Sequence, residues 1–233
     1  MEFTLQKCSI YPFVYSQGSE DLSELEFSSK IILPNSVLDT IIIHYQDKEL
    51  PEPLCFKITS ITGVSIYTSV HSFNSFGNNI YVTDKMLEKL CIESIGEKVV
   101  IELFQPPKGS KMCIQPYHDS FIKLDNPKKI LETTIEKFYP ILTKKNDIFI
   151  KYMDEIHKIR IIDLEPYETV LSYNTDIILE FLPSLETIER ERLEQKRLKL
   201  ERDKQKAQDN LKKKSSKKKF IPFSGKGYKL GGS

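Results

Sequence analysis

At 233 residues, 39% hydrophobic and 10% aromatic, the chain holds enough apolar material for one large or two small domains plus a tail. Its formal net charge of +1 hides a split, because residues 187–233 carry sixteen Lys and Arg against six Asp and Glu, so a net-acidic front part precedes a basic arm. No window approaches the roughly 18–20 apolar residues of a membrane-spanning helix, and MEFTLQKCSIYPF lacks a signal peptide's basic and apolar regions, so membrane insertion is excluded and a soluble intracellular protein is expected.

Residues 10–15 read as a strand closed by the turn-like Ser16-Gln17-Gly18-Ser19. The run at 30–33 enters Pro34-Asn35-Ser36, where a helix is predicted with Val37, Leu38, Ile41, Ile42 and Tyr45 along one face. Pro51 and Pro53 set off a strand over 54–59. Gly63 opens an alternating run through Val64, Ile66, Thr68 and Val70, and Asn78-Asn79 turns the chain before a strand at 80–82. Thr83 is placed to cap a helix over 84–92, with Met86, Leu87 and Leu90 pointing one way and Gly96 as its stop; a strand over 97–104 follows. Short strands broken by short helices and proline turns predict a compact β-rich barrel, not a βαβ repeat.

Pro106-Pro107-Lys108-Gly109-Ser110 divides the folded part into 1–106 and 111–183. The second part starts with a strand at 111–115. A helix then follows, capped by Asn126, with Pro127 at its first position and Ile130, Leu131, Thr134, Ile135 and Phe138 on one face. Strands are predicted at 147–152, 156–162, 169–173 and 176–181, an α+β pattern. After Pro183 the leucines keep no 3.5-residue spacing, which argues against a coiled coil, while Glu186 with Arg190 and Glu194 with Arg197 support a solvated single helix. Like charges over 212–219 predict extended or disordered chain, so 184–219 reads as a charged spacer, helical first and disordered later.

Evidence for catalysis in the sequence is thin. Cys8, Cys55, Cys91 and Cys113 stand singly, with neither zinc nor disulfide spacing, and are expected to be reduced and mostly buried. His44, His71, His118 and His157 belong to no hydrolase or metalloprotease motif; His118 beside Asp119 is a weak pair. No cofactor is implied, and the expectation is a protein that is not an enzyme. The run Lys212, Lys213, Lys214, Lys217, Lys218 and Lys219 has the composition of an RNA-binding or nuclear-import segment, but it lacks base-stacking aromatics, and a solvated spacer is the simpler reading. A basic-tailed RNA or nuclear interaction protein stays open as a reading of another class.

Residues 223–232 read FSGKGYKLGG, with four of the chain's nine glycines. Phe223 and Leu230 are two apolar anchors among glycines, which let a backbone approach a partner closely, so the segment is built to dock on something else. It resembles the SHP box used by cofactors of the AAA+ unfoldase known as valosin-containing protein, and the matching positions are Phe223, Ser224, Gly225, Gly227, Leu230, Gly231 and Gly232. KIILPNSVL (30–38) followed by Asp39, LCFKIT (54–59), IYVTDKMLEKL (80–90) and LDNPKKIL (124–131) are similar to the ubiquitin fusion degradation protein 1 family. The likeness covers roughly residues 8–183 plus the box. It implies a β-rich α+β fold: a double-psi β-barrel lobe, a small α/β lobe, then a helical to disordered basic tail.

The resemblance further implies a ubiquitin-binding adaptor that recruits ubiquitylated proteins to the unfoldase, through the unfoldase's N-terminal domain, for extraction and proteasomal degradation of the ER-associated type. Family members act with the nuclear-protein-localisation partner, whose binding segment lies near the end of a longer chain; here Ser233 follows the box directly, so that contact is expected only if it is made elsewhere. The expected setting is cytoplasmic or nuclear. The alternative is the cytosol-derived compartment of a complex plastid, where related adaptors serve protein translocation.

Overall fold

The computed structural model describes residues 3–16, 21–46 and 48–216, together with Gly225 and Gly231. Residues through Thr187 form one compact unit, and those from Ile188 a second, described separately below.

Six strands close the front lobe into a barrel: β1 (Phe3–Pro12), β2 (Lys30–Pro34), β3 (Cys55–Thr59), β4 (Ser65–Ser75), β5 (Asn79–Val82) and β6 (Lys98–Leu103), in the order β1-β5-β2-β4-β3-β6. Two neighbouring pairs, β1 with β5 and β2 with β4, run parallel. Closure leaves no open edge, and alternate residues such as Ile10, Phe56, Ile58, Ile80 and Ile101 fill the interior, all fully buried. Strand β2 reads as an unbroken apolar run because both its faces are covered. Ile31 and Leu33 enter the barrel core, whereas Ile32 packs outside with Phe13, Leu25 and Tyr81.

Three local expectations change here. The strand predicted over 10–15 lies earlier: Pro12 ends β1, and Phe13–Tyr15 form a short 3-10 turn. Helix α1 (Asn35–His44) buries Val37 and Ile41 and half-buries Leu38 and Tyr45, but Ile42 is 49% exposed, since the covered face centres on the i, i+4, i+8 row of Val37, Ile41 and Tyr45. Helix α2 (Asp84–Lys89) is capped as predicted, with the Met86 N–H donating to Thr83 Oγ1 at 3.2 Å, yet it stops well before Gly96. Cys91 takes the left-handed conformation (φ 55°), and the Cys91 and Ile92 amides bond back to the Glu88 and Leu87 carbonyls at 3.1 Å each. That pair of bonds is a Schellman stop, with cysteine where glycine is usual.

The second lobe carries a four-stranded sheet in the order β12-β7-β10-β9, formed by β7 (Lys111–Pro116), β9 (Asp147–Tyr152), β10 (Glu155–Glu165) and β12 (Ile178–Phe181). A two-stranded sheet pairs β8 (Ile141–Thr143) with β11 (Thr169–Leu171). Helix α3 (Asp119–Ile122) and strand β8 are too short to leave a periodic signal. Helix α4 (Pro127–Phe138) matches its predicted cap and face: the Lys129 N–H donates to Asn126 Oδ1 at 3.3 Å, and Leu131 and Ile135 join the core of Met112, Ile114, Ile150 and Ile161. The outer edge of β9 is capped at Phe149 by one side chain. Tyr139 Oη accepts from the Phe149 N–H at 2.9 Å and donates to the Phe149 carbonyl at 3.2 Å.

Helix α5 (Leu185–Ser216) is 32 residues long. The expectation of extended chain from Lys212 is corrected, because the backbone stays helical through Ser216. Glu, Lys, Arg, Gln and Leu favour helix, and adding a residue to an existing helix is cheap compared with starting one. Arg197 pairs with Glu194 at 3.2 Å as predicted and reaches Glu201 at 4.0 Å. Leu193, Leu198 and Leu200 are exposed, as a solvated helix requires. No helix among the described residues is long and apolar enough to cross a membrane.

Candidate functional site

Of the seven positions expected to dock, Phe223, Ser224, Gly227, Leu230 and Gly232 lie outside the described residues. Gly225 and Gly231 are described and exposed. Gly231 takes φ +105°, and a Cβ there would meet nothing within 4 Å, so its backbone conformation alone selects glycine.

Between the two lobes the structure assembles a cluster that no short motif announces. Asp147, at the start of β9, accepts from Arg160 Nε at 3.0 Å, from Lys158 Nζ at 3.0 Å and from the Tyr117 hydroxyl at 3.2 Å. Burial pushes the Asp147 carboxyl up, but these bonds and charges outweigh it, and the group is held below the usual carboxylate range. Its partners Lys158 and Arg160 are correspondingly raised. They sit two residues apart on β10, hence on one face, and both cations lie over the Tyr117 ring, at 4.3 and 5.1 Å from its centroid.

From the barrel side, Lys85 of α2 reaches across to Phe149 and Phe27, its Nζ 3.3 and 4.5 Å from the two ring centroids. Desolvation lowers the Lys85 ammonium, while the nearby Glu26 carboxylate opposes that shift. Glu26 in turn is raised by burial and by Asp84. Glu26, Lys85, Asp147 and Phe149 line a cavity of about 60 Å³, walled also by Ser28, Ser29, Thr83 and Tyr139. Around it the lobes are bolted together. The Ser29 N–H donates to the Phe138 carbonyl at 3.0 Å, and Lys137 pairs with Glu24 at 2.9 Å. A shared apolar cluster joins Cys55, Tyr67 and Phe104 of the barrel to Ile141, Leu171 and Tyr173. The two lobes therefore present one compact body whose seam is basic and aromatic.

The pairing of His118 with Asp119 dissolves into a structural clamp. Asp119 accepts from the Ser184 hydroxyl and from Thr187 Oγ1 at 2.5 Å, whereas His118 Nδ1 faces Glu186 at 3.6 Å. Glu186, expected to pair with Arg190, also accepts from the Asp119 N–H at 3.0 Å. Ser184 is fully buried and caps α5 by accepting from the Thr187 N–H at 3.0 Å, so its oxygen is committed to the helix start. Among the described residues no three His, Cys, Asp or Glu side chains are grouped to hold a metal ion. Of the cysteines, Cys8 and Cys55 are buried, Cys113 is half-buried and Cys91 is exposed, so burial holds for fewer thiols than expected.

Both lobes have matches among known protein families. The model for "Ubiquitin fusion degradation protein UFD1, N-terminal subdomain 1" fits residues 4–107, and that for subdomain 2 of the same protein fits residues 108–184. The chain belongs to the ubiquitin fusion degradation protein 1 family. It is 27% identical over 185 residues to the Ubiquitin fusion degradation protein 1 homolog of Dictyostelium discoideum, covering 79% of this chain and 54% of that protein. It is 26% identical over 200 residues to Ubiquitin fusion degradation protein 1 of Saccharomyces cerevisiae, covering 84% and 53%. The human protein named Ubiquitin recognition factor in ER-associated degradation protein 1 is 27% identical over 165 residues, covering 70% and 52%. The chain thus spans about half the length of the curated relatives it matches. The names of these relatives refer to ubiquitin fusion degradation and, for the human protein, to ubiquitin recognition in ER-associated degradation.

Proposed function

We propose that this protein is a non-enzymatic adaptor that binds ubiquitin or polyubiquitin through its two-lobed front unit and recruits ubiquitylated proteins to the AAA+ unfoldase valosin-containing protein. The observation that carries the reading is the pairing, on one chain, of the family's two N-terminal subdomains with the FSGKGYKLGG segment. The two parallel strand pairs of the barrel support the double-psi arrangement expected of the family. The unfoldase's N-terminal domain is the proposed receptor for Phe223 and Leu230. A ten-residue peptide that must become ordered binds only modestly, and a second tether through ubiquitin raises the effective affinity without new contacts at the first site. Helix α5, about 48 Å long at 1.5 Å per residue, is a solvated spacer between the two binding elements in sequence. The proposed setting is the cytosol.

A pull-down on the unfoldase's N-terminal domain tests the tail. Burying a Phe or Leu side chain stabilises by about 1.5–3 kcal/mol, so Phe223→Ala and Leu230→Ala should each weaken capture roughly tenfold to a hundredfold. Undiminished capture by both variants would refute the role of the segment. Polyubiquitin binding, measured on the same variants, should be unchanged.

A further inference from the structure

The second lobe's sheet is capped at one point on one edge and uncovered along the other. At β9 the Tyr139 hydroxyl occupies the main-chain groups of Phe149. At β12 nothing comparable exists among the described residues. Ile178 N–H donates to the Ser110 carbonyl and Leu182 N–H to the Ile114 carbonyl, both at 2.9 Å, so the even-numbered amides face β7. The main-chain groups of Leu179 and Phe181 therefore face outward. An edge of this kind is a template for another strand unless a charge, a proline or a covering element blunts it; the one charge within β12, Glu180, is paired with Lys111 of β7 at 2.8 Å.

Beside this edge runs a groove of about 800 Å³, lined by Met112, Ile135, Ile177 and Leu179 with α4 along its far bank. Leu179 pairs with Met112 in the ladder, and both belong to the core that α4 covers. A strand added at β12 would direct alternate side chains into the groove. The α4 bank presents Lys128, Glu132 and Glu136 at successive turns, and the loop before β12 adds Asp176. Lys128 is neutralised by Glu132 at 3.7 Å. Glu136 and Asp176 have no cationic partner among the described residues, so the groove has an apolar floor and an acidic rim.

We propose that the β12 edge and its groove form a binding site for an extended segment of a partner protein that alternates apolar and basic residues, taken up by strand addition. Main-chain bonds to Leu179 and Phe181 supply the affinity, apolar side chains fill the groove, and lysine or arginine meets Glu136 and Asp176. The site is separate from the lobe seam and does not depend on residues 223–232.

The test uses the full chain and a fluorescein-labelled peptide of about six residues alternating valine and lysine, followed by anisotropy. Binding should saturate, and a version N-methylated on alternate residues, which loses its edge-facing donors, should bind about tenfold more weakly or less. A valine–glutamate peptide should bind at least about tenfold more weakly, and so should the lysine peptide to the Glu136→Lys, Asp176→Lys double variant. Phe181→Pro removes one edge amide and should weaken binding by a similar factor, provided its melting curve shows the lobe folded. Because the N-methyl comparison uses the unaltered protein, it decides the matter even if a variant fails to fold. Equal binding of the N-methylated or the acidic peptide would overturn the proposal. So would absence of binding accompanied by concentration-dependent dimerisation, which would make the edge a contact between copies of this chain.

Discussion

Replacing Asp147 with asparagine should weaken the second lobe, at its face toward the barrel, by a calculable amount. The carboxylate is 18% exposed and receives Arg160, Lys158 and Tyr117 at 3.0–3.2 Å, and an asparagine would turn an amide N–H₂ toward two cations. An exposed ion pair contributes about 0.2–1 kcal/mol, and breaking a fully buried one costs about 3–5, so a half-buried hub should lie near 2 kcal/mol. For a unit of this size that lowers the melting temperature by about 4–8 °C. The pH dependence carries a sign. The folded Asp147 carboxyl is held below its ordinary range, so its contribution is fully present above the unfolded value of about 3.9 and is lost as pH falls through the lower folded value. Denaturant melts of wild type and Asp147→Asn should therefore differ by a constant amount from about pH 5 to 8 and converge below about pH 4. Asp163→Asn is the control, since its partner Lys144 at 2.7 Å belongs to a largely exposed pair, and its melting curve should match wild type. Equal stability of Asp147→Asn and wild type at pH 7, or a gap that widens on acidification, would refute the reasoning.

Phe56→Ala empties the largest fully buried position of the barrel and should cost about 3–5 kcal/mol by chemical denaturation. Tyr139→Phe leaves the Phe149 N–H and carbonyl without their bonds and should cost about 1–3 kcal/mol, with faster amide exchange at Phe149 as a local readout. In a thiol titration near pH 8, exposed Cys91 should react first, because burial pushes Cys8 up to about 11 and Cys55 up to about 12; a Cys91→Ser variant should lose that fast phase. Cys91→Gly should stabilise the protein by about 0.4–1 kcal/mol, since the residue already sits at φ 55°.

The fold is legible wherever a residue's neighbours in sequence are also its neighbours in space. Thr83 and Asn126 are recognisable caps, Pro127 a first helical residue, and Leu131 with Ile135 a buried stripe, because each works within one or two turns. Expectation and structure part where a distant element intervenes. The exposed Ile42 and the doubly covered Ile32 depend on what the barrel and the 3-10 segments cover. The stop at Cys91 leaves no sequence signal because a residue other than glycine occupies a left-handed position there. The seam is hidden for the same reason as Ile42: Lys85 and Phe149 are more than sixty positions apart, and only the Lys158–Arg160 pair, two apart on a strand, leaves a trace.

By itself the sequence determined the β-rich front part, the caps, the charged arm and the glycine-rich FSGKGYKLGG segment, all properties of periodicity, composition and short spacing. Tertiary structure alone decided which strands close into a barrel and that Asp147 gathers three partners at the seam. It also decided that Ser184 and Asp119 clamp a helix, and that one sheet edge is capped at Phe149 by Tyr139 while the other lies uncovered. Those outcomes rest on contacts between residues far apart in the chain, and the free energy of such contacts exists only once the intervening chain has folded.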